Sequence, residues 1–356
     1  PHVVNAIAKQ ARRLNTSTRY MHGYILELAE RITQRMPESL SVCTFVCTGS
    51  EANELAWQKS QLQSGHSGAL ITKFSYHGGT TATAHFSTET IPEEKLPAHV
   101  QTLFAPTSDS TFRQPDSGLS SAIRGLDEHG HRPAMLLLDT AFFSDGIYTS
   151  PQGYLQTLYA QTQAAGWLCV ADEVQGGFGR LGQHFWGFQF DDAVPDIVTL
   201  GKPMGNGHPV AAVVTRPEIA ETLAKETGYF NTFGGNPVSC AAGLAVLEVI
   251  EREALQRNAR EVGQYLKQRL TSLQRDYPVL GGVHGSGLLL GVDIMCPDGA
   301  PSPETAAQIT NHMREKGVLI GTTGPDYATL KIRPPLVFQE DHAEILLAAM
   351  TKALIW

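Results

Sequence analysis

What this chain lacks narrows the field first. It has five cysteines in 356 residues (Cys43, Cys47, Cys169, Cys240 and Cys296), an odd number with no Cys-x-x-Cys pair, which argues against a disulfide-stapled scaffold. Cys43, Cys47 and Cys169 lie in apolar, strand-like runs and read as small core residues of a reducing compartment, which points to the cytoplasm. No His-x-x-x-His spacing occurs either, so no metal site is expected. There is no long basic run, and the net charge of −8 argues against nucleic acid or an anionic membrane as a partner. No apolar stretch approaches the roughly 18 residues of a membrane helix. Internal repeats and low-complexity linkers are missing too. The chain opens Pro1-His-Val-Val, without a methionine or a signal-like segment, and so reads as the interior of a longer polypeptide.

What is present has the length for a large core and more than one domain. Short apolar runs fall at Val42–Cys47, Ala69–Phe74, His99–Phe104, Ala134–Asp139, Leu168–Ala171, Ile197–Leu200 and Val210–Thr215. Several are near-continuous in Val, Ile, Leu, Phe and Cys, the pattern of strands covered on both faces. Helical stretches intervene at about Ser50–Ser64, Pro151–Ala165 and Pro217–Lys225, a βαβ rhythm that predicts a doubly wound, mainly parallel α/β domain. After Pro237 the texture changes. Helices are expected over Ser239–Glu253 and Arg252–Gln274, then a glycine-rich strand region Gly281–Ile294, a helix Pro303–Lys316, two short strands and a closing helix from Gln339. The expected division is a large α/β domain over residues 1–238 and a smaller α+β domain over 239–356.

Lys202 ends the apolar run Ile197-Val-Thr-Leu-Gly201 and is followed at once by glycine- and proline-rich turns, an unusual setting for a solvated cation. Asp172 ends another such run, Trp167-Leu-Cys-Val-Ala-Asp172. Ligands of parallel sheets bind outside the carboxyl ends of the strands, so two such strands can bring an amine and a carboxylate into one crevice. An amine for a Schiff base and an acid for a pyridine nitrogen are the two groups pyridoxal phosphate needs most. Thr48-Gly49-Ser50-Glu51 runs from a strand into a helix start, where oriented N–H groups can hold a phosphate, with Ser50 able to cap the helix. Tyr76 could stack on a flat ring, Val174 could cover one ring face, and the Gln175 amide could reach a phenolic oxygen. Thr232 offers a hydroxyl and an N–H to phosphate. Each alone has an ordinary structural alternative: a surface lysine, a helix cap, core packing or a turn. Together they converge on one cofactor.

These segments resemble the class III (omega-type, fold type I) pyridoxal-phosphate aminotransferases. The matching pieces are Thr48-Gly-Ser-Glu-Ala-Asn53, Tyr76-His-Gly78, Pro151-Gln-Gly-Tyr-Leu155, Asp172-Glu-Val-Gln175, Gly177-Phe-Gly-Arg180, Gly201-Lys202 and Thr232-Phe-Gly-Gly-Asn-Pro237, in the family's order over essentially the whole chain. The resemblance implies that Lys202 carries the Schiff base to pyridoxal 5'-phosphate and that Asp172 pairs with its pyridine nitrogen. Gly49 and Ser50 would hold the phosphate. Tyr76 and His77 would lie at the ring with Val174 and Gln175, and Thr232 would reach the phosphate of a neighbouring subunit in a homodimer, with a tetramer left open. His184-Phe-Trp-Gly-Phe, Val194-Pro-Asp-Ile-Val and Gly205-Asn-Gly-His-Pro209 are similar to the branch holding alanine–glyoxylate aminotransferase 2 and ethanolamine-phosphate phospho-lyase.

Three departures bear on the substrate. A further N-terminal segment of the family is absent from this sequence. Asp139 stands where many members have glutamate, which shortens its reach. Lys331 stands where carboxylate-binding members have arginine, giving up a planar fork for a point charge that suits a phosphate as well. The expected reaction moves an amino group from a small amine or amino acid to a keto acid such as pyruvate or glyoxylate. The alternative is elimination of phosphate from a phosphorylated amino alcohol such as phosphoethanolamine. A nicotinamide enzyme is disfavoured, because Gly285-Ser-Gly287-Leu-Leu-Leu enters an apolar strand-like run rather than a helix. A non-enzymatic homologue would be expected to have lost the lysine.

Overall fold

The computed structural model describes residues 1–106 and 116–355. Two amphipathic helices, α1 (His2–Arg13) and α2 (Gly23–Thr33), precede the first strand. The larger sheet is built from β1 (Val42–Val46), β2 (Gly68–Thr72), β3 (Val100–Leu103), β4 (Pro133–Asp139), β5 (Leu168–Asp172), β6 (Ile197–Leu200) and β7 (Ala211–Thr215). Its spatial order is β1-β7-β6-β5-β4-β2-β3. The pairs from β6 through β5, β4 and β2 to β3 are parallel, whereas β7 runs antiparallel to both β6 and β1. Helices α3 (Gly49–Ser64), α4 (Thr81–His85), α5 (Asp116–Glu128), α6 (Tyr154–Ala164) and α7 (Pro217–Glu226) lie between these strands or follow them.

All five residues of β2, β5 and β7 are buried, as continuous apolar runs demand. Fully burying each Val, Leu or Ile contributes about 1.5–3 kcal/mol. The direction of β7 shapes the loop that carries Lys202. Because β7 returns antiparallel beside β6, the β6–β7 connection needs no crossover helix. It is a short reversal that begins with a tight 3-10 turn, Lys202–Gly205.

The second body contains α9 (Leu255–Leu273), α10 (Pro303–Glu315) and α11 (Glu340–Ala353) against a sheet of order β10-β11-β9-β8. Its strands are β8 (Leu280–Ser286), β9 (Leu289–Ile294), β10 (Gly321–Thr323) and β11 (Thr329–Ile332), all paired antiparallel. Between the two bodies runs α8 (Pro237–Arg252).

The expected boundary at 238/239 needs correction. It falls inside α8, whose Cys240, Ala242, Leu244 and Leu247 share one core cluster with Val198, Leu200 and Ala212 of the large sheet. The core of the smaller body begins at Leu266 on α9. A helix buried against the large sheet cannot belong to the other body, so the division lies within α9. The glycine-rich Gly281–Ile294 region is two strands and a tight turn rather than one run. Helices α1 and α2 carry no motif in the sequence. They cover α8, tied by Arg31 to Glu251 (2.7 Å) and by Arg35 to the same carboxylate.

Candidate active site

The sheet's carboxyl edge gathers the chemistry. β5 and β6 end at Asp172 and Leu200, and β1 ends in the turn that opens α3. There a cavity of about 360 Å³ is lined by Gly49, Ser50, Asn53, Tyr76, His77, Gly78, Asp139, Asp172, Val174, Gln175 and Lys202. Its other end is lined by Glu89, Phe143, Ser144, Lys331 and Arg333. The cofactor candidates found in the sequence thus meet here, together with both substrate-side candidates, with one exception. Thr232 does not join them. It is exposed outside this cavity, and its carbonyl accepts from the Thr18 amide at 3.1 Å.

The α3 entry is a tight, glycine-lined turn at the cavity. Thr48, rather than Ser50, is the N-cap, its hydroxyl accepting from the Glu51 amide at 3.1 Å. Ser50 is thereby released from the cap, and its hydroxyl accepts from the Gly79 amide at 3.1 Å. The strands of backbone come very close here. A Cβ at Gly78 (φ +138°) would sit 2.6 Å from Ser50 Oγ, and one at Gly49 would sit 2.9 Å from Val174 Cγ1. Only glycine fits either place.

Asp172 is buried yet thoroughly satisfied. Its Oδ2 accepts from Asn53 Nδ2 (2.8 Å) and His77 Nδ1 (2.7 Å), and its Oδ1 accepts from the Val174 amide (3.0 Å). Thr199 Oγ1 donates to Asn53 Oδ1 at 2.7 Å, which fixes the amide so that its nitrogen faces the carboxylate. Burial pushes the Asp172 carboxyl up, but His77, the Lys202 charge and the Val174 amide outweigh it and hold the group below its ordinary value. In sequence Asn53 reads only as a favourable first-turn residue of a helix. In the fold it is an anchor of the acid, as is Thr199, and neither carries a signal along the chain because both act across the sheet.

Asp139 is paired in register with Asp172 on the adjacent strand. Burial and the Asp172 charge push its carboxyl up to about 6, although Ala141 (3.0 Å) and Phe143 (2.9 Å) donate their amides to it. Those bonds fold the next turn. Glu173, the residue after Asp172, instead accepts from the Gly187 and Phe188 amides and the Thr140 hydroxyl.

The ammonium group of Lys202 opens into the cavity from an exposed position at the start of its 3-10 turn. The substrate end contains a group that no sequence motif marks. Alternate residues of an extended chain share a face, so Arg333 points where Lys331 points. Lys331 Nζ lies 5.0 Å, and Arg333 Cζ 5.3 Å, from the Phe143 ring centre. Position 331 still lacks a planar fork, but a guanidinium two residues on faces the same ring. Glu89 faces this pair and accepts from Ser144 Oγ at 2.6 Å.

The Phe143–Ser144 wall belongs to the large body, but it is held by the small one. Thr323 Oγ1 donates to the Phe143 carbonyl (3.0 Å), and the Gly324 amide donates to the Ser144 carbonyl (3.1 Å). His284 Nδ1 bonds the Ile147 carbonyl at 2.8 Å, and its Nε2 bonds Asp293 at 3.0 Å. Among the described residues no cluster of side chains suits a metal, and no helix is long and apolar enough to cross a membrane.

Comparison with known proteins gives the same picture from outside. The family model "Aminotransferase class-III" matches residues 1–354. An alanine–glyoxylate aminotransferase 2-like protein of Drosophila melanogaster is 35% identical, covering 99% of this chain and 76% of the relative. The mitochondrial alanine–glyoxylate aminotransferase 2 of Homo sapiens is 36% identical, covering 99% and 74%. Among solved structures, an Arthrobacter phospholyase in complex with phosphoethanolamine is 39% identical with a TM-score of 0.95, over 99% of this chain and 86% of that one. An S-selective transaminase from Bacillus megaterium is 26% identical with a TM-score of 0.89, over 99% and 85%. The fold is the α/β, fold type I architecture of pyridoxal-phosphate transaminases.

Proposed function

Since this chain belongs to the class-III aminotransferases, a family of pyridoxal 5'-phosphate enzymes, we propose that its cavity performs amino-group transfer with Lys202 and Asp172 as the catalytic pair. The single observation that carries this assignment is the convergence of Lys202, Asp172 with its three donors and the Gly49–Ser50 cradle on one cavity.

The residues present fit the cofactor. Gln175 Oε1 is buried at the cavity without any hydrogen-bond partner, a cost that a bound polar ligand would relieve. The glycine-tight α3 entry suits a phosphate. Under this reading Gly49 and Ser50 hold the phosphate, Val174 and Tyr76 cover the ring faces, Gln175 meets the phenolic oxygen, and His77 acts through Asp172. When bound, pyridoxal phosphate supplies a carbonyl that condenses with amines and a ring that draws electrons from the adjoining carbon. Asp172, kept charged by His77 and Asn53, holds a proton on the ring nitrogen. Lys202 Nζ, freed when the incoming amine takes its place, would take the proton from the substrate carbon and return it to the carbon on the other side of the nitrogen. Asp139, with Phe143, bounds the space available to the substrate.

The donor we assign is a small amine or amino acid, and the acceptor a keto acid such as pyruvate or glyoxylate, the class named by the aminotransferase relatives. A second reading is favoured by one specific observation. Lys331 and Arg333 together offer two positive charges to one substrate group, which suits a phosphate dianion. Elimination of phosphate from phosphoethanolamine would use the same Lys202, and the phospholyase neighbour was solved with that molecule. Phosphoethanolamine supplied without keto acid separates the readings. Amino-group transfer is expected to stop after one equivalent per site with no phosphate released. Continuous release of inorganic phosphate and aldehyde would establish the lyase.

We also assign a two-fold homodimer. Thr232 stands exposed beside Tyr229, Phe230 and Phe233, all of them exposed aromatics, and would reach the phosphate of the neighbouring site. Thr232→Ala is expected to weaken cofactor retention while leaving the monomer folded, measured as cofactor loss on dialysis. Sedimentation that finds a fully active monomer would refute the assignment. The unpaired cysteines keep a reducing compartment, and the cytoplasm, as our reading of location.

A further inference from the structure

Arg180 is a cation in an odd place. It lies on the large body in the run Gly177-Phe-Gly-Arg180, outside the substrate cavity. Its Nη1 donates to the Leu288 carbonyl at 3.2 Å and to the Pro334 carbonyl, both on the small body. Among the described residues no carboxylate lies within salt-bridge distance of it. Burial, and then the charge of Arg333, lower its guanidinium to about 10. Burial likewise lowers Arg333, and burial and the Arg333 charge lower Lys331. Three cations therefore crowd this end of the molecule, with Glu89 the carboxylate that opposes them at the cavity. Partly buried charges left unpaired are costly, and a fold usually avoids them by supplying a partner. Arg180 has carbonyl acceptors, whereas Lys331 and Arg333 face the cavity, where an anion carried by the substrate would be their partner.

We propose that Arg180 is a positioning residue: by gripping the Leu288 and Pro334 carbonyls, it holds Arg333 forward over Phe143 to receive the anionic group of the substrate. The proposal rests on the reading of this cavity as a pyridoxal-phosphate site with its substrate end at Lys331 and Arg333. Its physical content is simple. Arg333 begins where β11 has ended, so the ladder no longer fixes its backbone. One residue further on, the Pro334 carbonyl is fixed by Arg180. The Arg333 side chain then lies over the Phe143 ring beside Lys331, where Glu89 and the incoming anion are its partners of opposite charge. Arg180 does not touch the substrate and acts through Arg333.

The test is a double-mutant cycle on the holoenzyme with Arg180→Gln, Arg333→Gln and the pair. The readout is the half-reaction, followed as loss of the cofactor's visible absorbance without acceptor. The probes are β-alanine and phosphoethanolamine as anionic amines and benzylamine as an amine without an anion. Arg180→Gln is expected to raise the half-saturating concentration of an anionic amine about tenfold, the size of one charge-assisted hydrogen bond. Its benzylamine response and its limiting rate should stay near wild type. In the Arg333→Gln background the same change should have little further effect, because residues that act through one another are non-additive. Arg180→Lys, which keeps the charge and can reach one carbonyl, should recover part of the loss. Equal weakening for benzylamine, or full additivity with Arg333→Gln, would overturn the proposal in favour of a purely structural clamp, and so would a wild-type enzyme that responds no better to the anionic amines than to benzylamine. Absence of a visible cofactor band in the wild type would instead sink the pyridoxal-phosphate reading itself.

Discussion

Lys202→Ala is expected to remove the visible absorbance band of the bound cofactor and to lower turnover by at least about a thousandfold. Two losses add. Alanine has no amine to bond the cofactor carbonyl, and it leaves no base beside the carbon whose proton must move, a role typically contributing 10²–10⁴-fold. No other lysine can stand in easily. Lys331, the other lysine at this cavity, is placed at its far end over Phe143. Partial recovery with added methylamine would identify the lost function as that of a base. A variant that turns over near the wild-type rate would overturn the assignment of the site as a whole.

Asp172→Asn is expected to slow the half-reaction by roughly a hundredfold or more while cofactor stays bound. The charge at this position is maintained by three donors, all directed at keeping the carboxylate ionised. Asparagine removes that charge and also turns an NH₂ group towards a donor in either orientation, to Asn53 and His77 or to the Val174 amide. A lone proton on the ring nitrogen would lose its counter-ion. Asn53→Ala provides a graded companion, since it deletes one donor and leaves the acid in place, and a loss of about tenfold is expected. A loss below about threefold for Asp172→Asn would mean that another acid serves the nitrogen.

Lys202, Asp172 and the Gly49–Ser50 entry are legible in the sequence because each ends a strand or opens a helix. A parallel sheet translates strand ends into a common edge, so a one-dimensional pattern becomes a three-dimensional site. The same logic fails for groups delivered from the side. Asn53 bonds Asp172 from a neighbouring helix at a sequence separation of 119, and Thr199 holds Asn53 across a separation of 146. Glu89 comes from a stretch without periodicity, after α4. Arg333 is hidden for a simpler reason: Lys331 fills the position where an arginine is expected, although strand alternation alone predicts that residue 333 shares its face. The boundary at 238/239 was misplaced because α8 follows a turn rich in glycine and closed by Pro237. Turn chemistry marks where a helix begins, but the cluster it packs into is decided by burial against Val198 and Leu200. The helices α1 and α2 lack any chemical motif, and amphipathic pattern alone gave no reason to prefer them.

The ties from Thr323, Gly324 and His284 to the Phe143–Ile147 segment have a mechanical meaning. Lys331 and Arg333 ride on the same small body that grips this segment, so the aromatic floor and the cationic roof over it are coupled into one jaw. Floor and roof are thus parts of one bonded unit that faces Lys202 and Asp172 across the cavity. Adapting the enzyme to a bulkier amine would therefore call for shortening side chains within the jaw, at Phe143 above all.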